Sequence, residues 1–128
     1  MDIIKTMQEY SDLISGVGVS EEKIQNAETS LQLQFSDEYR KYLTVFGIAA
    51  VNGHEFTGIC ESQRVNVTNV TFTERNRMPT ARAEWYVVEQ ANIDGIVIWQ
   101  SSTGEVYQTI PNGLPIKLCN SLSEYLDL

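Results

Sequence analysis

Two periods of apolar residues divide the chain. Up to residue 47 they recur at steps of three and four, the spacing of one helix face. Ile3, Ile4, Met7, Tyr10, Leu13 and Ile14 predict a helix over 2–15, stopped by Gly16 and Gly18. Ser20 then stands as an N-cap, with Glu21 and Glu22 in the first turn and Ile24, Ala27 and Leu31 on the buried stripe. "LQLQF" alternates and runs extended. Ser36 caps a further helix with Asp37 and Glu38 at its start, Tyr39, Tyr42, Leu43 and Phe46 on its apolar face, and Gly47 as its stop.

Beyond residue 55 the period drops to two. Strands are predicted at 56–59, 65–72, 85–89, 96–100, 106–110 and 115–118, with turns at "SSTGE" and "PNG". Ser121 and Glu124 make a capping box for a closing helix carrying Leu122, Tyr125 and Leu126. Helices, then a meander of strands, then a helix predict an α+β domain. Its mostly antiparallel sheet of five to six strands packs against the N-terminal helices and a short C-terminal helix.

The 128 residues suit a single domain over 1–128, and a hydrophobic fraction of 42% is enough for a core. The net charge of −8 excludes a general nucleic-acid binder, which needs a basic footprint, and a domain docked on anionic lipid. It suits a protein kept soluble by its charge, or one attracted to a basic partner. The start "MDIIKTMQEY" has no basic stretch followed by an apolar one, no run reaches membrane-spanning length, and Cys60 and Cys119 form no CxxC. The expectation is a cytoplasmic protein with reduced thiols. The N-x-T patterns at Asn66 and Asn69 then fall by chance within a strand.

No complete catalytic constellation is visible. His54 is the single histidine. Pairing with Glu55, or a metal half-site with Cys60 and Glu61, competes with the plainer reading of an exposed loop histidine, which the absence of HExxH favours. "TERNRMPTARAE" holds the one basic group, Arg75, Arg77 and Arg82, flanked by Glu74 and Glu84. A solvated loop is the expectation there and an anion site the alternative. No cofactor or metal is expected. If the outer sheet face is open, Trp99 and Tyr107 ringed by Glu84, Glu89, Asp94 and Glu105 form the candidate contact set, since Trp and Tyr dominate interface hot spots. The competing reading places both tryptophans in the core.

The segment "VSEEKIQNAETSLQLQFSDEYRKYLTVFG" resembles the N-terminal signature of the SUKH superfamily, the Smi/Knr-type proteins. Its I-x-x-A-E-x-x-L helix is matched by Ile24, Ala27, Glu28 and Leu31, and its L-P-x-x-Y-x-x-[FYL]-L helix by Phe35, Ser36, Tyr39, Tyr42 and Leu43. "EFTGI", "GIVIWQSSTGEVYQTIPNG" and "SLSEYL" are similar to the family's glycine-bearing strand, hairpin and last helix, so the resemblance spans 19–126. Serine replaces the usual proline at position 36, and "FGIAAVNG" replaces an Asn-Gly-type turn. The resemblance implies a non-enzymatic binding domain. Most bacterial members resemble immunity proteins that bind and block a cognate toxin, often a nuclease, whereas fungal relatives act in signalling and cell-wall regulation. It transfers no catalytic residue. The expected partner is a basic toxin domain, with the chain itself a monomer or weak homodimer. A regulatory interaction domain is the second reading.

Overall fold

Side-chain caps set where the helices begin. In the computed structural model, which describes residues 2–128, Asp2 accepts the Ile4 N–H at 2.9 Å and opens α1 (Ile3–Gln8). Ser20 opens α2 (Glu21–Leu31), Ser36 opens α3 (Asp37–Val45), Asn66 opens α4 (Val67–Arg77) and Ser121 opens α5 (Leu122–Leu126), each accepting a first-turn N–H. The strands are β1 (Ile14–Ser15), β2 (Ala49–Val51), β3 (His54–Glu55), β4 (Tyr86–Gln90), β5 (Val97–Gln100), β6 (Val106–Thr109) and β7 (Ile116–Cys119). They form two antiparallel sheets, β1-β2-β3 and β4-β5-β6-β7. The architecture is α+β with a short C-terminal helix, as expected, but the strands divide between two sheets. The segment after β3 stitches them together. The Phe56 N–H donates to the Ala49 carbonyl at 3.0 Å and the Thr57 N–H to Val88 at 2.9 Å.

Three predicted elements differ. The strand expected over 56–59 is absent, because β3 ends at Glu55 and Phe56 and Gly58 make only isolated bridges, to Glu89 and Asn66. The helix expected over 2–15 ends after Gln8, because Ser11 and Asp12 are weak helix formers and the residues after them find sheet partners instead. Ile14 pairs with Ala50, and the Gly16 N–H reaches Ile48 O at 2.8 Å. The strand expected over 65–72 is the start of α4. Its Val and Thr residues favour strands, but Val67, Val70, Thr71 and Glu74 bury one helical face against β4 and α2. Packing overrides propensity here. Asn66 is the cap of that helix and Asn69 lies within it, so neither sits in a strand.

The four-stranded sheet is buried on both faces. The row Tyr86, Gln100, Val106 and Cys119 lies on the side of the main core with Ile3, Ile24, Leu43 and Leu126. The row Val87, Trp99 and Tyr107 faces α4 and the crossover 78–85, forming a second core with Val70, Met78 and Trp85. Both tryptophans are therefore core residues, each contributing about 3 kcal/mol of burial by transfer arithmetic.

The motif residues have physical roles. The Glu28 carboxylate accepts the Phe35 N–H at 2.8 Å and an Arg40 N–H at 3.2 Å, fixing the link between α2 and α3. The Tyr39 and Tyr42 hydroxyls both end on Thr57. Glu38 accepts from the Leu122 and Ser123 N–H groups and from Gln100 Nε2, so an acid placed at the start of α3 also caps α5. Gly58 runs so close to α3's end that a Cβ there would lie 2.0 Å from Gly47 O, and only glycine fits.

Candidate functional site

The six expected contact residues do not form one surface. Trp99 is fully buried, its indole N–H donating to Thr109 Oγ1 at 2.8 Å. Glu89 is buried as well. Neither is accessible to a partner, because helices cover both sheet faces where one had been expected to be open. Asp94 occupies the β4–β5 turn at φ 54°, and Glu105 the β5–β6 turn, where Thr103 Oγ1 donates to it. These two turns close opposite ends of β5. Glu84 is exposed, 3.8 Å from Arg82. Tyr107 is half-buried and stacks on Trp85 with ring centroids 4.1 Å apart. Only Glu84 and Tyr107 share a neighbourhood, beside a groove of about 400 Å³ lined by Thr80, Arg82, Trp85, Tyr107, Leu114 and Pro115.

His54 is not an exposed loop residue. It lies on β3, its ring between Phe56 and Tyr125 at centroid distances of 5.7 and 5.0 Å. Its Nδ1 is 2.9 Å from Glu89 Oε1, the oxygen to which the Tyr125 hydroxyl also donates. The hydrogen bond to Glu89 raises the His54 pKa above its ordinary value, against the opposing effect of burial. Burial, and then the same carboxylate, push the Tyr125 hydroxyl far up. Glu55 turns away to Arg64 at 2.6 Å, which holds its carboxyl below the ordinary range. No metal-binding group of three or more His, Cys, Asp or Glu residues exists among the described residues. The His54–Glu89–Tyr125 knot joins β3, the β4 bulge and α5.

The basic group is dispersed as well. The stretch 74–77 is helical. Arg75 donates to the carbonyls of Ala83, Leu31 and Trp85, and Arg77 pairs with Glu74 at 3.1 Å. Arg77 and Arg82 are both largely exposed, but Arg77 is tied to Glu74 while Arg82 is set only loosely against Glu84.

Directly above the histidine knot, the ends of the chain build a different surface. The Tyr10 hydroxyl, past the end of α1, donates to Asp127 Oδ1 at 2.7 Å and lies 3.3 Å from Leu126 O. The Asn52 N–H, in the β2–β3 turn, points at both Asp12 oxygens at 3.0 Å, while its Nδ2 reaches Leu126 O at 3.1 Å. The hydrogen bond to Asp127 raises the Tyr10 pKa, followed by burial and the charges of Asp127, Glu9 and Asp12. Three carboxylates thus converge on one tyrosine. Among the described residues no cation lies within ion-pair distance of any of them, whereas Asp2, Glu21, Glu28, Glu55 and Glu74 each have a partner within 3.2 Å. Glu9, Asp12 and Asp127 escaped the sequence reading because the contact that assembles them joins positions 117 residues apart.

No helix among the described residues is long and apolar enough to cross a membrane. Comparison with curated proteins finds no match. The family described as SMI1-KNR4 cell-wall, within the SUKH group, matches residues 1–127. The chain therefore belongs to the SUKH (Smi1/Knr4) family.

Proposed function

We propose that this protein is a cytoplasmic immunity protein that binds a cognate toxin domain, a basic nuclease in the expected case, and neutralises it by covering its active or substrate-binding surface. The observation that carries this reading is the convergence of Glu9, Asp12 and Asp127 around Tyr10, with no ion pair to any of the three among the described residues. Uncompensated carboxylates on a rigid base attract a basic surface before contact. Steering of this kind brings association to about 10⁸ M⁻¹s⁻¹ at low salt, against roughly 10⁵–10⁶ for a neutral pair. Rigidity comes from below, where the His54–Glu89–Tyr125 knot fixes the turn and helix that present the acids. The accessible sheet-side residues Glu84, Asp94, Glu105 and Tyr107 are dispersed. The three acids among them add to the long-range field rather than to a single contact patch. The chain acts by binding and not by catalysis.

A second reading, a regulatory interaction domain with a housekeeping partner, is favoured by the cell-wall description of the matched family. Co-expression with a toxin domain encoded beside this gene, coupled to a pull-down of the two proteins, separates them. Immunity requires rescue of growth and a stable complex. Absence of toxicity, or rescue without binding, supports the regulatory reading.

A further inference from the structure

We infer that β1 is a docking strand, to whose open edge an extended segment of the basic toxin domain adds. An apolar side chain of that segment fills the hollow beside Ile14, and a lysine or arginine meets Asp12. The inference rests on the proposed reading of the partner and names the surface that partner uses. β1 pairs only with β2. The Gly16 N–H donates inward to Ile48 O at 2.8 Å, and Ile14 stands opposite Ala50. By the alternation of an antiparallel ladder, Ser15 between them turns its N–H and carbonyl outward. The other sheet edges are closed or blunted. Those of β3 and β4 are stitched to each other through Phe56 and Thr57. β7 has Pro115 at its entry and Lys117 within it, residues that discourage strand addition. The stretch 13–19, "LISGVGV", has neither a proline nor a charge, so β1 is the edge left unguarded.

The sheet face beside this edge is hollow and apolar. Ile14, Gly16, Ile48 and Ala50 line a recess of about 310 Å³, with Glu55 on its far rim already held by Arg64. Gly16 has no side chain to fill it, and Ile14 is 73% exposed. Strand addition takes its affinity from backbone hydrogen bonds and its specificity from recesses for alternate side chains, and both stand side by side here. Charge sets the chemistry of the occupant. The edge runs directly out of the acidic surface, Asp12 lying two residues before Ile14. Asp12 accepts the Asn52 N–H and, like Glu9 and Asp127, holds no ion pair among the described residues. A segment with a cation beside its apolar residue matches that order. A second copy would bring the same three acids to the same edge, like charge against like.

The test is amide hydrogen exchange of the full chain, free and in complex with the toxin domain encoded beside this gene. In the free chain the Ser15 amide is expected to exchange fast and that of Gly16, bonded to Ile48, slowly. In the complex Ser15 slows to the rate of Gly16. Two variants are measured for binding beside the wild type. Ser15→Pro deletes the outward N–H and keeps the inward bond of Gly16. Ala50→Leu fills the recess from its open face. Each is expected to weaken the complex about tenfold, whereas Leu114→Asp, on the groove over Trp85, leaves it unchanged. Urea unfolding checks that the variants fold, and the wild-type exchange needs no variant. A complex that rescues growth with Ser15 still fast and both variants binding at full strength overturns this inference and leaves the immunity reading standing. Absence of any complex overturns that reading and this inference with it. Ser15 protected in the free chain, at twice the monomer mass, makes the occupant a second copy and also overturns it.

Discussion

Tyr125 on the last helix donates its hydroxyl to Glu89, at the bulge of β4, across 2.5 Å. The residues are 36 positions apart and the carboxylate is buried, so this hydrogen bond is one of the ties, beside Glu38, that hold α5 to the middle of the fold. Tyr125→Phe keeps the ring packing on Phe56 and His54 but removes one of the two groups that satisfy a buried charge. It is expected to cost about 1–3 kcal/mol in urea unfolding, the range for a hydrogen bond to a charged group. An unchanged midpoint would mean that water replaces the hydroxyl.

The same carboxylate sets a pH dependence. Because Glu89 raises the pKa of His54, the folded state holds that proton more tightly than the unfolded chain does. The stabilisation is fully present below the unfolded value of 6.5 and fades as pH rises through the higher folded value. The groups facing the ring are Glu89 and Tyr125, and the Tyr125 hydroxyl stays protonated throughout this range. With one histidine in the chain, its NMR titration is unambiguous, and the midpoint is expected above 6.5. In Glu89→Gln the midpoint drops, since burial alone then acts on the imidazole. A midpoint at or below 6.5 in the wild type contradicts the ion pair.

What the sequence shows and what it hides follow from the range of the interactions. α2, α3 and α5 are legible because a serine cap and an apolar stripe lie within a dozen residues of each other. α4 is not, because Val67, Val70 and the threonines of its first turns favour a strand locally and only contact with β4 and α2 makes them helical. The resemblance to a family could be read because its motif residues, Glu28 and Phe35 among them, touch across short separations. The acidic surface could not, since Asp12 and Asp127 meet only through Tyr10, Asn52 and Leu126. Reading Glu89 and Trp99 as surface residues failed for a related reason. Alternation reveals which residues share a sheet face, but not that α4 and the crossover 78–85 close the second one.

Glu38 couples two helices and can be tested at one of them. Its carboxylate receives the Leu122 N–H at 2.6 Å, the Ser123 N–H and hydroxyl at 3.1 Å, and Gln100 Nε2 at 2.9 Å. Glu38→Ala strips α5 of this second cap while leaving Ser121 in place. About 2–3 kcal/mol of stability is expected to go, with hydrogen exchange accelerating at Leu122 and Ser123 more than in α3. Uniform acceleration across α2 and α3 would instead locate the role of Glu38 in its own helix.

Charge removal distinguishes the acidic surface around Tyr10 from the scattered acids of the sheet. Asp12→Asn and Asp127→Asn keep an oxygen that can accept from Asn52 and Tyr10, so the local geometry survives while two charges disappear. With Glu9→Gln added, the variant should fold with wild-type stability, since none of the three carboxylates holds an ion pair among the described residues. Its association with a basic toxin domain is expected to slow by about tenfold at low salt, with the difference shrinking as ionic strength rises. The matched control, Glu84→Gln, Asp94→Asn and Glu105→Gln, removes the same number of charges from three separate places and should slow association less. If the control slows it more, the contact surface lies on the sheet side. If neither variant changes the rate, charge does not guide the encounter, and the apolar groove over Trp85 and Tyr107 becomes the surface to map.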